Sequence, residues 1–174
     1  MIENRFGSYG IQVLQQTSAQ RVSDLFSGSG LSRTTRTLAL VNWPEQVPEA
    51  LAAPHGQILD GASLGATLRA AGWMVQKYTL TYSEIPAPPW LARRMKISAA
   101  TPVALHLYSL SARRGDAVYY YVDIAELHHP DYLTLERIPG IFGEPTDALT
   151  PAERRRKIKT IAAELTRFQD PAGG

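Results

Sequence analysis

The sequence contains no cysteine, which excludes a disulfide framework and any thiolate metal site and fits a reducing compartment such as the cytoplasm. It also lacks any run of about eighteen apolar residues, the length a membrane-spanning helix needs, so no membrane partner is expected. The opening residues MIENRFGSYGIQ carry no basic stretch followed by an apolar one, so no signal peptide is expected. Charge of one sign is missing too. The 18 basic residues face 16 acidic ones, for a net charge of +2, too little to imply a nucleic-acid partner. Phosphate-binding loops, dinucleotide fingerprints, metal-spaced Cys/His sets and internal repeats are absent, so neither a cofactor nor a metal is implied.

What is present is an ordinary globular composition. At 174 residues, 44% hydrophobic and 20% charged, the chain can bury one sizeable core. The turn-rich SGSGLS at 27–32 separates two strand-like stretches, 21–26 and 35–43, and the second ends at Pro44, which cannot continue a ladder. PEALAA at 48–53 reads as a short helix stopping at Pro54. Ser63 then caps a helix over 64–71, with Gly72 as its C′ residue. A strand over 74–84, the breaker IPAPP and a short helix over 90–97 entered through Pro89 follow. Two long strands, 103–111 and 117–127, flank ARRGD, which makes a hairpin with Gly115 at its tip. Strict alternation along the second strand puts Val118, Tyr120, Val122 and Ile124 on one face and Tyr119, Tyr121, Asp123 and Ala125 on the other.

After a Gly/Pro-rich connector at 139–145, Thr150, Pro151 and Glu153 form a capping box that opens an amphipathic helix of about four turns, with Ile158, Ile161, Leu165 and Phe168 on its apolar side. QDPAGG at 169–174 reads as a frayed tail. Residues 1–145 are thus expected to form one ligand-binding domain, and 146–170 a helix packed on it or on a dimer partner.

The pieces LALVNWP (38–44), DGASLGATLRAAG (60–72), ATPVALHLYSLSARRGDAVYYY (100–121) and HHPDY (128–132) occur in an order that resembles the chorismate-lyase-like fold. In particular, it resembles the UTRA effector-binding domains of GntR-type transcription regulators. The resemblance implies an α+β fold, a mostly antiparallel sheet with helices packed on one face. It implies a cleft for a small anionic metabolite and a homodimer. Twenty N-terminal residues cannot hold the winged-helix DNA-binding domain that normally precedes a UTRA domain. Family members tend to place effector-binding arginines on the strand after the Pro-Val pair; here Leu105, His106, Leu107 and Tyr108 stand there. A chorismate-lyase-like enzyme on an enolpyruvyl carboxylate is the alternative, and it needs cations near the substrate, for which Arg33, Arg36 and Arg69 are candidates.

The expected ligand-binding residues are Ser63, Leu64, Gly65, His106, Tyr119 and Tyr121. The hydroxyl of Ser63 and the amides of Leu64 and Gly65 can hold an anion, or Ser63 can be a plain N-cap worth about 1 kcal/mol. His106 shares a strand face with Ala104, Tyr108 and Leu110, where a buried hydrogen-bonded imidazole is the commoner fate. Gly61–Gly65 also matches G-x-S-x-G, with Asp123 and His128 or His129 in triad order, but no parallel strand precedes it. Asp123, Glu126, His128, His129 and Asp131 cluster in sequence; adjacent histidines point opposite ways, so a solvated strand end is preferred to a metal site. Arg154, Arg155, Arg156, Lys157 and Lys159 read as a solvated helix face.

Overall fold

A computed structural model describes residues 2–170. The chain runs α1 (Ile2–Phe6), β1 (Gly10–Gln16), β2 (Gln20–Ser27), β3 (Thr34–Asn42), α2 (Ala52–Leu59), α3 (Leu64–Ala70), β4 (Met74–Pro86), α4 (Pro89–Met95), β5 (Pro102–Arg114), β6 (Ala117–His128), α5 (Pro139–Phe142) and α6 (Pro151–Arg167). The strands form one six-stranded sheet in the order β1-β2-β3-β6-β5-β4. Every neighbouring pair is antiparallel, so the fold is α+β as expected. Among the described residues, no helix is long and apolar enough to cross a membrane.

Local chemistry sets most boundaries. Gly115 adopts φ +59° in the tight turn joining β5 to β6, a conformation that favours glycine. Gly28, φ +78°, ends β2, and a Cβ there would sit 2.7 Å from the Ser32 carbonyl oxygen. At α6, the Thr150 hydroxyl accepts from the Glu153 amide while Glu153 accepts from the Thr150 amide, with Pro151 at the first helical position. Pro54 does not stop a helix: α2 begins at Ala52, so the proline falls in the first turn, where its missing N–H has no intrahelical role.

Helices cover both faces of the sheet, not one. On one face Leu38, Leu40, Val103, Leu105, Leu107 and Leu127 pack against Trp90, Leu91 and Met95 of α4 and Ile161 and Leu165 of α6. The Trp90 indole N–H donates to the Leu165 carbonyl at 2.8 Å, tying the two helices together. On the other face Val41, Tyr108, Leu110 and Ile124 meet Leu51, Ile58 of α2 and Leu68 of α3. The physical reason is β5, which is buried continuously from Val103 to Ala112 and so must be covered on both sides.

A β-bulge overrides the strict alternation expected of β6. From the turn, Arg114 lies opposite Ala117 and Ser111 opposite Tyr120; beyond the irregularity, Leu110 lies opposite Val122 and His106 opposite Glu126. Tyr121 is the extra residue. It joins Val122, Ile124 and Tyr119 in the α2/α3-side cluster, whereas Val118 and Tyr120 are exposed. Of the tail expected to fray, Asp170 is held by Arg94 at 2.6 and 2.8 Å, and 171–174 lie outside the described residues.

Candidate functional site

A cavity of about 300 Å³ opens on the α2/α3 face. Its floor is the sheet, with Ile11 and Val13 from β1, Arg21, Ser23 and Leu25 from β2, Ala39 and Val41 from β3, Tyr108 from β5, and Ile124 and Glu126 from β6. Gly61 and Ser63, in the turn between α2 and α3, and Leu64, which opens α3, close it from the other side. Strand periodicity explains the lining, since alternate residues of β2 and β3 share a face.

Arg21 is the unusual residue in this wall. It is 7% exposed, yet no carboxylate lies within ion-pair distance of it among the described residues. Its Nη1 donates to the Ala62 carbonyl at 2.9 Å and more weakly to that of Ile58 at 3.5 Å, and Nε donates to Ser23 Oγ at 3.2 Å. These bonds clasp the C-terminal end of α2. Nη2 makes no hydrogen bond among the described residues, and burial pushes the guanidinium pKa below its ordinary value. A buried cation without a counter-charge is costly unless something supplies one. On the opposite wall Glu126 accepts from the Tyr108 hydroxyl at 2.8 Å, and Lys77 donates to that same hydroxyl at 3.3 Å.

Behind Tyr108 and Glu126 lies a closed polar cluster. His106 and His128 are both buried, and one ligand atom from each of His106, Glu126 and His128 lies within 4.8 Å of the others. The His106 Nε2 is bonded to Thr79 Oγ1 at 3.2 Å, and the His128 Nδ1 to Thr37 Oγ1 at 3.0 Å. Their other nitrogens, His106 Nδ1 and His128 Nε2, are buried without a hydrogen-bond partner among the described residues. Burial drives His106 down to about 3, helped by His128 and Lys77. Burial likewise drives His128 down to about 4, outweighing the opposing pull of Glu126. Both rings are therefore neutral at neutral pH. The strand end at 128–129 is accordingly buried, not solvated as expected. The adjacent histidines do diverge: His129 Nε2 bonds the Met95 carbonyl at 2.8 Å, on the α4 side.

The structure gathers some of the expected residues and disperses others. Ser63 and Leu64 line the cavity. Ser63 occupies the N-cap position of α3, but its side chain makes no capping bond, so the hydroxyl is not a conventional cap. Gly65 is outside the lining, with the Arg69 guanidinium 3.3 Å from where its Cβ would stand. His106 sits one layer behind, its ring 4.7 Å from that of Tyr108. Tyr119 packs on Trp73, and Tyr121 is buried against Trp43 with its hydroxyl 2.6 Å from His55 Nδ1, so neither reaches the cavity.

None of the three candidate arginines lines the cavity. Arg33 pairs with Asp24 at 2.8 Å, Arg36 bonds Ser27 Oγ and lies over Phe6, and Arg69 is exposed. The cationic group that does reach the cavity, Arg21, was passed over by sequence reasoning. Its signal was an arginine at the start of an interior strand whose same-face neighbours, Ser23 and Leu25, offer no acid.

Ser63, Asp123 and His128 do not come together as a hydrolase triad. Asp123 accepts from Ser109 at 2.6 Å and from Lys157 at 2.7 Å on the α6 side, whereas His128 faces away from it. Part of the basic helix face is spoken for as well: beyond Lys157, Arg154 donates to the carbonyls of Leu149 and Thr146.

The sequence matches no family model and no curated protein. Among solved structures the fold is similar to a transcriptional regulator of the GntR family from Enterococcus faecalis, at 12% identity and a TM-score of 0.47, covering 73% of this chain and 93% of that one.

Proposed function

We propose that the chain is a small-molecule-binding module that takes a small anionic metabolite in the cavity between the sheet and the Ser63 turn. In this reading it resembles a UTRA effector domain. The observation that carries it is Arg21, a buried guanidinium on the cavity wall with no carboxylate partner among the described residues and with Nε and Nη1, but not Nη2, hydrogen-bonded there. A carboxylate or phosphate there supplies the missing counter-charge through a charge-assisted hydrogen bond. The Ser63 hydroxyl, free of any capping bond, is a second donor on the facing side. Ile11, Val13, Val41 and Ile124 offer apolar surface to the remainder of the ligand, and the cavity volume suits a small metabolite. Two copies pair, in this proposal, through the exposed side chains of Met74, Val118 and Tyr120 at the β5–β6 end of the sheet.

Native mass spectrometry of the purified protein tests the binding. Wild type is expected to carry one small acidic molecule per chain. Arg21→Gln loses it, and Arg21→Lys, which keeps the charge, retains it in part. An adduct held equally by Arg21→Gln, or a bare wild-type mass that takes up no carboxylate or phosphate from a panel, overturns the proposal. The same spectra report monomer or dimer.

A further inference from the structure

We propose that His106, Glu126 and His128 form a mononuclear site for a divalent transition metal, of the two-histidine, one-carboxylate kind. Each residue has one polar atom anchored and another left over. Thr79 holds His106 Nε2, Thr37 holds His128 Nδ1, and the Tyr108 hydroxyl donates to Glu126 Oε1. That leaves His106 Nδ1, His128 Nε2 and Glu126 Oε2. The two nitrogens are buried with no partner, and Oε2 accepts no hydrogen bond and meets no Lys or Arg among the described residues.

Glu126 Oε2 stands 3.8 Å from His128 Nε2. Tetrahedral ligands at bond lengths of about 2.0–2.1 Å lie roughly 3.4 Å apart, and the three residues each offer a ligand atom within 4.8 Å of the others, so side-chain rotation must draw them inward to close the set around one ion. The anchored atoms make the second shell that orients metal-bound imidazoles and carboxylates. The Phe142 ring stacks on His106 at 4.5 Å and lies parallel to His128 within 13°, which shields the two free nitrogens from bulk water. Orphaned buried nitrogens are rare and costly, and a cation satisfies both at once. Two imidazoles and one carboxylate suit zinc, cobalt(II) or iron(II) in preference to calcium or magnesium. Three protein ligands leave a coordination position for water or an exogenous ligand.

The test uses the full chain and zinc. Equilibrium dialysis is expected to give one tightly held zinc per chain in wild type and in His129→Gln, whose imidazole lies on the other face. Glu126→Gln and His128→Gln bind about 100-fold more weakly, or not at all. Should a variant fail to fold, imidazole 15N shifts of wild type during the titration decide the matter: His106 and His128 move together, while His55 and His129 do not. Absence of stoichiometric zinc, unchanged affinity in both variants, or shifts at His55 and His129 instead would overturn the assignment.

Discussion

The two faces of the sheet are built differently. On the α4/α6 side the interior is apolar, with Trp90 among the aliphatic residues, and its charges are paired: Asp24 meets both Arg33 and Arg94, Arg94 meets Asp170, and Asp123 meets Lys157, although Asp24 Oδ1 has no hydrogen-bond partner among the described residues. On the α2/α3 side the interior holds Arg21 without a counter-charge, two histidines with orphaned nitrogens, and a cavity. The first arrangement is what a chain needs in order to fold. The second carries polar groups whose burial is not compensated inside the chain, and ligands are the natural source of that compensation. The proposed binding is therefore placed on the α2/α3 face.

Acid is expected to separate the faces most strongly. The folded-state pKa values of His106 and His128, about 3 and about 4, lie below that of an unfolded imidazole near 6.5. Between those limits the unfolded chain takes up protons that the folded chain refuses, so stability is complete above about pH 6.5 and falls as pH drops. From pH 7 to 5 the pair costs about 4 kcal/mol, about 2 for each ring. Burial lowers His55 and His129 as well, which adds to the loss. Urea titrations of metal-free protein read this directly. In His128→Gln the loss over the same interval shrinks by about 2 kcal/mol; an undiminished loss would place the acid-sensitive groups elsewhere.

Leu105→Ala, fully buried on the α4/α6 face, is expected to cost about 3 kcal/mol at either pH, because it leaves a cavity that a packed core cannot refill. A cost below about 1 kcal/mol would mean that this face is not the closed core described. The smallest effects separate two helix starts. Thr150→Ala, which breaks a capping box under α6, costs about 1 kcal/mol. Ser63→Ala, with no capping bond to lose, changes stability by only a few tenths of a kcal/mol while weakening ligand binding. Equal losses at the two positions would return Ser63 to a structural role.

Local signals carried far into the fold. The Gly115 hairpin, the Thr150–Glu153 box, Pro89 at the start of α4 and Gly72 after α3 all act over a few residues, and each is where the sequence places it. The site was harder to see, because it depends on one irregularity and on contacts distant in the chain. Continued from the turn without a bulge, the β5–β6 register would set His106 opposite Ala125, leaving Glu126 and His128 on the other face. Tyr121 is the extra residue that slips the register by one, and only then do the three share a side. A run of three tyrosines does not announce which one bulges. Arg21 is similar: its carbonyl partners, Ile58 and Ala62, come from beyond β3, so neither its burial nor its lack of an acid can be read from its neighbours in sequence.

The most direct test is a backbone amide NMR titration of the whole chain with a panel of small carboxylates and phosphates. Saturable shifts are predicted at 61–64 and along the cavity-facing residues of β2, β3 and β6, centred on Arg21 and absent from α4 and α6. Saturable shifts confined to the α4/α6 face, or none with any member of the panel, would contradict the placement of function on the α2/α3 face.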